Sequence, residues 1–426
     1  GGERLARYSL LGFGDAAQIR LDAGGFHVGS KTQPRPGSAA ELLDYMRAAL
    51  AATPELTPAL DGLPFQGGLV GAAAYDIVRY FERLPGPPTP AGEQAEAVWL
   101  APSSVLVFDH QTRRAALLHA GSETERRAVR DDVVRALQAG MPARRHGRFA
   151  APDASMNGET FMDAVEAAKR HIRVGDVYQL VLSICFSGEC SLHPFEAYRA
   201  LRLLNPSPYM YFLEFGDTAI AGSSPEALVR LNGRSAALRP IAGTRPRGEN
   251  AEQDREYERE LLADPKEAAE HVMLVDLARN DLGRVGVPGT IRVQPSRAIE
   301  RYSHVMHLVS GVVGELEAGR DAFDLFAATF PAGTLVGAPK VKAMELIDTY
   351  EPRRRGFYAG TVGYFDRAGS MDQAIAIRTL VFEGQRYSYQ AGAGIVADST
   401  PANEYAEVMA KSAILKKALE IARDGL

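Results

Sequence analysis

Several stretches with the composition of β-strands are separated in this chain by very short turns. Residues 360–365 and 373–381 are an example, because residues 366–370 between them have the composition of a tight turn. A parallel pair would need a crossover of a dozen or more residues, so such strands are expected to be antiparallel. This disfavours the regular strand–helix alternation of a Rossmann fold. The sequence predicts an α+β fold instead.

The chain of 426 residues is long enough for two domains. Residues 140–157 are rich in Pro, Arg and Ala without periodicity, so we place a linker there. This predicts an N-terminal subdomain at residues 1–145 and a C-terminal domain at residues 155–426. Strands are predicted at residues 8–12, 18–22, 98–109, 115–119, 177–186, 209–215, 219–222, 304–309, 360–365, 373–381 and 387–392. Helices are predicted at residues 39–51, 123–139, 159–173, 254–281 with an interruption at 264–265, 322–328, 339–348 and 401–421.

Composition excludes several classes of protein. The formal net charge of −5 and the pI near 6.1 give no electrostatic footprint for nucleic acid. No uninterrupted run of about 18 apolar residues is present, so no membrane span is expected. No signal peptide is visible. Cys185 and Cys190 match neither a disulfide framework nor a metal site, which favours a reducing cytoplasm.

Residues 239–248 combine backbone-shaping Pro and Gly with Arg239, Arg245, Arg247 and Thr244. Guanidinium groups grip carboxylates with two hydrogen bonds, which suits a small anionic substrate. A surface turn with solvated arginines is the alternative.

Two predicted helices carry acidic residues of interest. Glu270 begins an apolar stretch flanked by acids and amides, and Glu404 and Glu407 lie three residues apart on one helix face. Lys411 extends that face by one turn. The alternative is a solvated helix with a Glu407–Lys411 ion pair of about 0.3–0.5 kcal/mol.

Glu226 and His307 are candidates for proton transfer. Glu226 follows a short apolar strand and the turn residues Ser224 and Pro225, where burial would raise its pKa and make it an acid. Strand alternation puts His307 on the face opposite His304 and Met306. An ordinary polar turn acid and a satisfied core or edge histidine are the alternatives.

Residues 330–340 form a Gly-rich segment that enters a helix through Pro339. Backbone amides at such an entrance can receive an anion. The segment is not a P-loop, since the Gly-x₄-Gly-Lys-Ser/Thr phrase is absent.

In this order, from about residue 160 to 413, these stretches resemble the chorismate-utilising enzymes, and most closely the large, aminating subunits of anthranilate synthases. The resemblance implies two large, mostly antiparallel β-sheets packed as a sandwich with helices outside. It implies a Mg²⁺ ion that is held by Glu270 and Glu407 and clamps the ring carboxylate of chorismate. Glu226 matches the acid that protonates the leaving 4-hydroxyl, and His307 matches a histidine that assists at the ring.

The resemblance also implies a substrate-binding set. Arg378, on a predicted strand, and Tyr358 match positions that hold the pyruvyl carboxylate, and Thr244 helps to position the ring end. The full set is Gly243, Thr244, Tyr358, Arg378, Gly392, Ala393, Gly394 and Lys411.

Gln179 and Ala242 indicate the branch of the family. Relatives that add water to chorismate have a lysine at the position of Gln179, and glutamine can orient a nucleophile but cannot deprotonate it. Aminodeoxychorismate synthases typically have a nucleophilic lysine at the position of Ala242. The expected reaction is therefore chorismate plus ammonia giving anthranilate and pyruvate through aminodeoxyisochorismate. An aminodeoxychorismate or aminodeoxyisochorismate synthase, and a catalytically silent tryptophan-sensing protein, are the alternatives.

The resemblance further implies a partner and an inhibitor. Neither cysteine lies in the nucleophile elbow that an amidotransferase requires, so a separate glutaminase subunit, anthranilate synthase component II, is expected to supply ammonia. Tryptophan is a candidate feedback inhibitor through Pro208, Tyr209 and Met210, although the Leu-Leu-Glu-Ser phrase that completes the family's inhibitor site is not found in this sequence.

Overall fold

The computed structural model describes residues 6–55, 57–58, 60, 62–86, 95–140, 146–302 and 305–425. These residues form a 12-stranded, a 7-stranded and a 3-stranded sheet. The strands are β1 (Tyr8–Asp22), β2 (Gly25–Val28), β3 (Lys31–Gln33), β4 (Gly68–Ala73), β5 (Ala97–Asp109), β6 (Arg114–His119), β7 (Asp153–Ala154), β8 (Gln179–Glu189), β9 (Tyr209–Phe215), β10 (Thr218–Ser224), β11 (Ala227–Asn232), β12 (Ser235–Leu238), β13 (Ile241–Pro246), β14 (Arg292–Val293), β15 (Ala298–Arg301), β16 (Val305–Val309), β17 (Val312–Glu315), β18 (Gly337–Ala338), β19 (Thr361–Asp366), β20 (Met371–Ile375), β21 (Thr379–Glu383) and β22 (Arg386–Ile395).

The strand order confirms the antiparallel prediction. The largest sheet runs β14-β17-β12-β11-β20-β19-β4-β5-β1-β2-β3, with β6 beside β5, and so includes strands from before residue 145 and after residue 155. The second sheet runs β18-β8-β22-β21-β10-β9, with β7 beside β8, and the third runs β13-β16-β15. β19 and β20, on either side of the turn at residues 366–370, are antiparallel neighbours, as the turn predicted.

Helices cover these sheets. They are α1 (Ala39–Ala51), a 3₁₀ helix (Tyr75–Tyr80), α2 (Glu123–Gln138), α3 (Gly158–Val174), α4 (Pro194–Leu204), α5 (Ala251–Ala263), α6 (Pro265–Gly283), α7 (Ala322–Thr329), α8 (Gly333–Val336), α9 (Lys340–Tyr350) and α10 (Pro401–Asp424). None of the helices in the described ranges is both long and apolar enough to cross a membrane.

Helix ends follow local signals in the sequence. The Asn157 side chain caps α3 by accepting a hydrogen bond from the Thr160 amide, and Gly175 ends the helix with a left-handed φ of 85°. The helix predicted at residues 254–281 is interrupted at Asp264, which ends α5 and caps the start of α6. They are therefore separate helices, as Pro265 indicated.

The main core lies between the two large sheets and the helices. One continuous cluster of buried side chains includes Trp99 of the 12-stranded sheet, Leu182 of the 7-stranded sheet and Leu415 of α10. Burial of this apolar surface is the main force that holds the two sheets face to face. The predicted α+β sandwich is therefore confirmed.

The strand predicted at residues 373–381 is wrong. The chain leaves the large sheet at Ile375, the end of β20, and enters the second sheet at Thr379, the start of β21. Arg378 lies between them with a φ of 50°, outside the range of a strand. The apolar pattern hides this break because the residues on both sides are buried. The two strands predicted at residues 8–12 and 18–22 are one strand, β1, with an irregularity between Phe13 and Ala16.

Candidate active site

Glu226 lies where the chain crosses from the second sheet to the large one. It follows β10 and immediately precedes β11, and its carbonyl accepts a hydrogen bond of 3.0 Å from the Ile375 amide. Thr334, in the short helix α8, donates a hydrogen bond of 3.0 Å to the Glu226 Oε1 atom. Burial raises the pKa of Glu226 to about 7, while the Thr334 hydrogen bond and the charges of Arg378 and Lys411 oppose the rise. Glu226 can therefore hold or release a proton near neutral pH.

Arg378 lies where the chain crosses back from the large sheet to the second one. This second crossing is beside the first. β10 pairs with β21 in one sheet and β11 pairs with β20 in the other, so the two crossings run side by side. The Arg378 carbonyl accepts a hydrogen bond of 3.2 Å from the Ser223 amide. Burial lowers the pKa of Arg378, and the charge of Glu226 works against this. Its guanidinium has no hydrogen-bond partner among the described residues, which leaves it available to an anion.

His307 and Thr244 are directly opposite one another in the three-stranded sheet. The His307 Nδ1 atom is 3.1 Å from both the Thr244 hydroxyl and the Gly243 carbonyl. A carbonyl only accepts, so Nδ1 must be protonated for the second bond, which leaves Nε2 as the free basic atom of the neutral ring. Burial lowers the pKa of His307, and Arg378 lowers it further. The buried Met306 and Leu308 confirm the predicted alternation, while His304 lies outside the described residues.

Gly243 shapes this part of the site. It has a φ of 58° within a bulge of β13, and a Cβ there would lie 2.7 Å from Leu261 Cδ1. The three arginines of residues 239–248 do not point to a ligand, because each is ion-paired within the chain: Arg239 with Glu300, Arg245 with Asp264 and Glu267, and Arg247 with Asp254. The guanidinium groups of this segment are therefore not available to bind a substrate carboxylate, contrary to the prediction. The alternative, that these arginines are only solvated, does not hold either.

Gln179 begins β8, which lies between β18 and β22 in the seven-stranded sheet. Its side chain is buried, and its Oε1 atom has no hydrogen-bond partner in the described parts of the chain. A Cβ at Gly394 on the neighbouring strand β22 would lie 2.8 Å from the Gln179 Nε2 atom. A Cβ at Gly392 would lie 2.7 Å from the Tyr358 hydroxyl. These glycines let the two polar side chains approach the β22 backbone closely.

Tyr358 is held by a buried ion pair. The Arg355 guanidinium lies over the Tyr358 ring, 5.6 Å from its centre, and pairs at 2.6 Å with Glu351. Arg355 also donates to the carbonyls of Val181 on β8 and Leu335 in α8. This network joins β8, the strand that begins at Gln179, to α8, the short helix that contains Thr334. Burial raises the pKa of Tyr358, so its hydroxyl remains protonated.

Lys411 extends from α10 to β22. Its Nζ atom donates to the Gly392 carbonyl at 3.0 Å and lies 2.7 Å from Glu407 Oε1. The Glu407–Lys411 pair expected of a solvated helix is thus present, and both side chains are about half exposed. Because Lys411 also lowers the pKa of Glu226, the end of α10 that holds Glu407 adjoins the crossing described above.

Glu270 on α6 lies close enough to Glu407 of α10 for their charges to interact. Burial raises the pKa of Glu270, and the negative charges of Glu267, Glu407 and Glu404 raise it further. A divalent cation bound among these carboxylates would relieve their mutual repulsion. The described residues contain no cluster of three or more His, Cys, Asp or Glu side chains suited to a metal ion. Mg²⁺ needs only one or two protein carboxylates, so the acids present fit this ion.

The predicted inhibitor residues lie beside this site, not within it. Tyr209 pairs with Ser224 in the edge strand β9, and Met210 pairs with Ser223. The Tyr209 hydroxyl donates to Asp372 at 3.0 Å and accepts from Arg230 at 2.7 Å. Pro208 immediately precedes the strand.

Two contacts in the site were not foreseen from the sequence. Thr334 was part of the Gly-rich segment expected to receive an anion through its amides, but its hydroxyl contacts Glu226. Lys340, in the same segment, forms a buried ion pair of 2.6 Å with Asp281 of α6, and burial raises the pKa of Asp281 to about 6. No local pattern reveals either contact, because the partners are far apart in the chain.

Comparison with known proteins decides the family. A model of chorismate-binding enzymes matches residues 3–417. The chain belongs to this family.

It is 43% identical to anthranilate synthase component 1 of Thermus thermophilus over 99% of its length and 91% of that protein's. It is also 43% identical to the Aquifex aeolicus protein of the same name, over 100% of its length and 88% of that protein's. The crystal structure of anthranilate synthase component I from Streptococcus pneumoniae matches with a TM-score of 0.86 at 35% identity, covering 96% of this chain and 92% of that one. The resemblance to anthranilate synthase large subunits is confirmed.

Proposed function

We propose that this chorismate-binding enzyme is an anthranilate synthase component I, which converts chorismate and ammonia to anthranilate, pyruvate and water. The observation that supports this most directly is the arrangement of Glu226, a carboxyl group with a pKa of about 7, beside the half-buried guanidinium of Arg378, which has no hydrogen-bond partner among the described residues. An acid and an anion-binding group side by side suit a substrate that carries carboxylates and a leaving hydroxyl.

In the first step, ammonia adds to C2 of the ring as both ring double bonds shift and the C4–O bond breaks. Glu226 donates its proton to the departing hydroxyl, which leaves as water, and the product is aminodeoxyisochorismate. A pKa near 7 keeps a useful fraction of Glu226 protonated at neutral pH. Gln179 would accept a hydrogen bond from ammonia through its unpaired Oε1 and so orient the nucleophile.

In the second step, the ring loses the C2 proton and the enolpyruvyl group, which takes up a proton and leaves as pyruvate. We assign His307 to this proton transfer, since the neutral ring presents Nε2 as a base once Nδ1 donates to Gly243. Arg378 and Tyr358 would hold the pyruvyl carboxylate, and Thr244 the ring end. Gly392, Ala393, Gly394 and Lys411 would complete the substrate contacts.

We further propose that Glu270 and Glu407 hold a Mg²⁺ ion. When bound, the ion would neutralise the ring carboxylate of chorismate and the repulsion among the acids around Glu270. Lys411, which now pairs with Glu407, would then be free to contact the substrate.

Ammonia is proposed to come from glutamine through a separate glutaminase subunit. Burial raises the pKa of the Cys185 thiol to about 11 and also raises that of Cys190, so neither is suited to be the nucleophile of an amidotransferase. Both cysteines are free, in keeping with a reducing cytoplasm. Tryptophan inhibition through Pro208, Tyr209 and Met210 also stays a proposal.

The test is to incubate the purified chain with chorismate, Mg²⁺ and an ammonium salt at alkaline pH and to follow anthranilate fluorescence. We expect fluorescence that requires both ammonium and chorismate, with stoichiometric pyruvate. A non-fluorescent aminated product without pyruvate would instead identify an aminodeoxyisochorismate or aminodeoxychorismate synthase. Binding of tryptophan without turnover of chorismate would identify a silent sensing protein.

A further inference from the structure

A cavity of about 290 Å³ lies at the far end of β11 from Glu226. It is open to solvent on one side and is bordered by α1, by the start of α7 and by the turns that follow β11 and β19. Six residues of extended chain at about 3.3 Å each separate it from the proposed acid by roughly 20 Å. None of the residues assigned to chorismate lines it. We propose that this cavity is a second binding site, specific for a small carboxylate with an apolar, aromatic-sized body.

The charged part of the lining favours an anion. Four arginines, Arg47, Arg234, Arg320 and Arg367, line the cavity with one acid, Asp321. Arg47 also pairs with Asp44 and Asp324, and Arg320 pairs with Asp324 and Glu317, so the positive charge left to the cavity is that of Arg234 and Arg367. Such a concentration of positive charge in a concave surface attracts anions.

Two of these arginines have no acidic partner. Arg47 is neutralised by Asp321 at 2.6 Å, and Arg320 lies 3.5 Å from Asp324. Arg234 is exposed, and among the described residues its guanidinium donates to the Leu316 carbonyl alone. The Arg367 Nε atom is buried and has no hydrogen-bond partner within the described ranges. A buried donor without a partner is uncommon in folded proteins unless a ligand or a water molecule satisfies it.

Arg234 and Arg367 both belong to turns whose backbone is hydrogen-bonded to neighbouring segments. Arg234 follows Gly233 in the turn between β11 and β12, and Arg367 begins the turn between β19 and β20. The Arg367 amide donates to the Gly67 carbonyl at 2.8 Å, which holds that turn in place. A planar guanidinium loses less entropy for each hydrogen bond that it forms than an ammonium group does, which suits two-point recognition of a carboxylate.

The rest of the lining is apolar and selects the body of the ligand. Leu50 of α1, Leu231 of β11 and Phe323 of α7 contribute to it, and the Phe323 ring is stacked on Phe365 at 4.6 Å. The volume is close to the lower limit of small-molecule pockets. A compact aryl or alkyl carboxylate satisfies both parts of the lining, whereas a free phosphate would leave the apolar part uncovered.

The test is direct binding of 4-fluorobenzoate, followed by fluorine NMR. Arg378→Met serves as the background, so that the proposed active site does not contribute. We expect saturable binding there, weakened at least about tenfold when Arg234→Met and Arg367→Met are added. Arg130→Met, on helix α2, which has no buried residue, is the matched control and should leave the affinity unchanged. The neutral 4-fluorobenzamide should bind at least about tenfold more weakly than the carboxylate.

Unchanged affinity in the Arg234 and Arg367 variants would overturn the proposal, as would equal binding of the amide or tighter binding of inorganic phosphate. Circular dichroism and thermal unfolding establish that each variant is folded. If the combined variant unfolds, Arg234→Met alone gives the decision, since its loss removes one carboxylate contact and only one backbone hydrogen bond.

Discussion

Thr334 and Glu226, 108 residues apart in the chain, meet through a hydrogen bond of 3.0 Å. The bond has two consequences for a proton donor. It fixes the carboxyl group at the crossing between the sheets, and it favours the ionised form, which lowers the pKa of Glu226 against the larger effect of burial. The balance between them keeps this pKa near 7.

Thr334→Val removes this hydrogen bond while keeping the volume of the side chain. We expect the pKa of Glu226 to rise, so the pH at which activity falls as Glu226 ionises should move upward. Loss of a fixed orientation should also lower the maximal rate about tenfold. The measurement is the pH dependence of anthranilate formation at a constant concentration of free ammonia. Thr334→Ser should restore both values, and a fall in activity at an unchanged or lower pH would contradict this role.

Glu226 should also destabilise the folded protein at high pH. Its folded pKa of about 7 lies above its ordinary value of 4.5, so the stability present below pH 4.5 is lost as pH rises through 7. A shift of this size corresponds to about 3 kcal/mol. Glu226→Gln should therefore be more stable than the wild type at pH 8, by on the order of 1–3 kcal/mol, and equal to it at pH 4. Urea unfolding at the two pH values measures the difference, and equal stability at pH 8 would show that the carboxyl group is not buried in solution.

The acids on α6 and α10 give a prediction for Mg²⁺. Glu270→Gln and Glu407→Gln should each raise the Mg²⁺ concentration for half-maximal activity at least about tenfold, because each removes one of two charged ligands. Glu420→Gln, farther along α10, is the control and should have no effect. Isothermal titration with Mg²⁺ gives the same comparison without turnover. If either ligand variant has the Mg²⁺ dependence of the wild type, then that residue does not bind the ion.

Local signals in the sequence predicted most elements well. Capping residues such as Asn157, the glycine after α3 and the proline after Asp264 act within one turn of the helix end, so their effect is visible in a short window. The antiparallel arrangement followed from turn length in the same way. Glu226 and His307 were found because a turn and an alternating strand identify them locally.

The site also depends on relationships that no short window contains. Arg378 was assigned to a continuous strand because buried residues on both sides of a crossing have the same apolar pattern as a strand interior. The ion pairs of Arg239, Arg245 and Arg247 depend on acids brought near by α5, α6 and β15. Thr334 belongs to the Gly-rich segment at residues 330–340, but only the packing of α8 against the crossing gives its hydroxyl a carboxylate partner. Tertiary contacts of this kind must be seen in the folded chain.

Gln179 gives the sharpest test of the reaction branch, since its side chain is buried and its Oε1 atom has no hydrogen-bond partner in the part of the chain that the structure describes. Gln179→Lys would place an amine in this buried position, where desolvation lowers its pKa and leaves part of it neutral and basic. We expect anthranilate formation to fall at least about tenfold and a hydrated, non-aminated product of chorismate to appear. Liquid chromatography with mass detection separates the two products. Gln179→Met removes the acceptor without supplying a base, so it should lose amination and gain no hydration. If the lysine variant aminates at the wild-type rate, or if both variants give the same products, then Gln179 does not select the nucleophile.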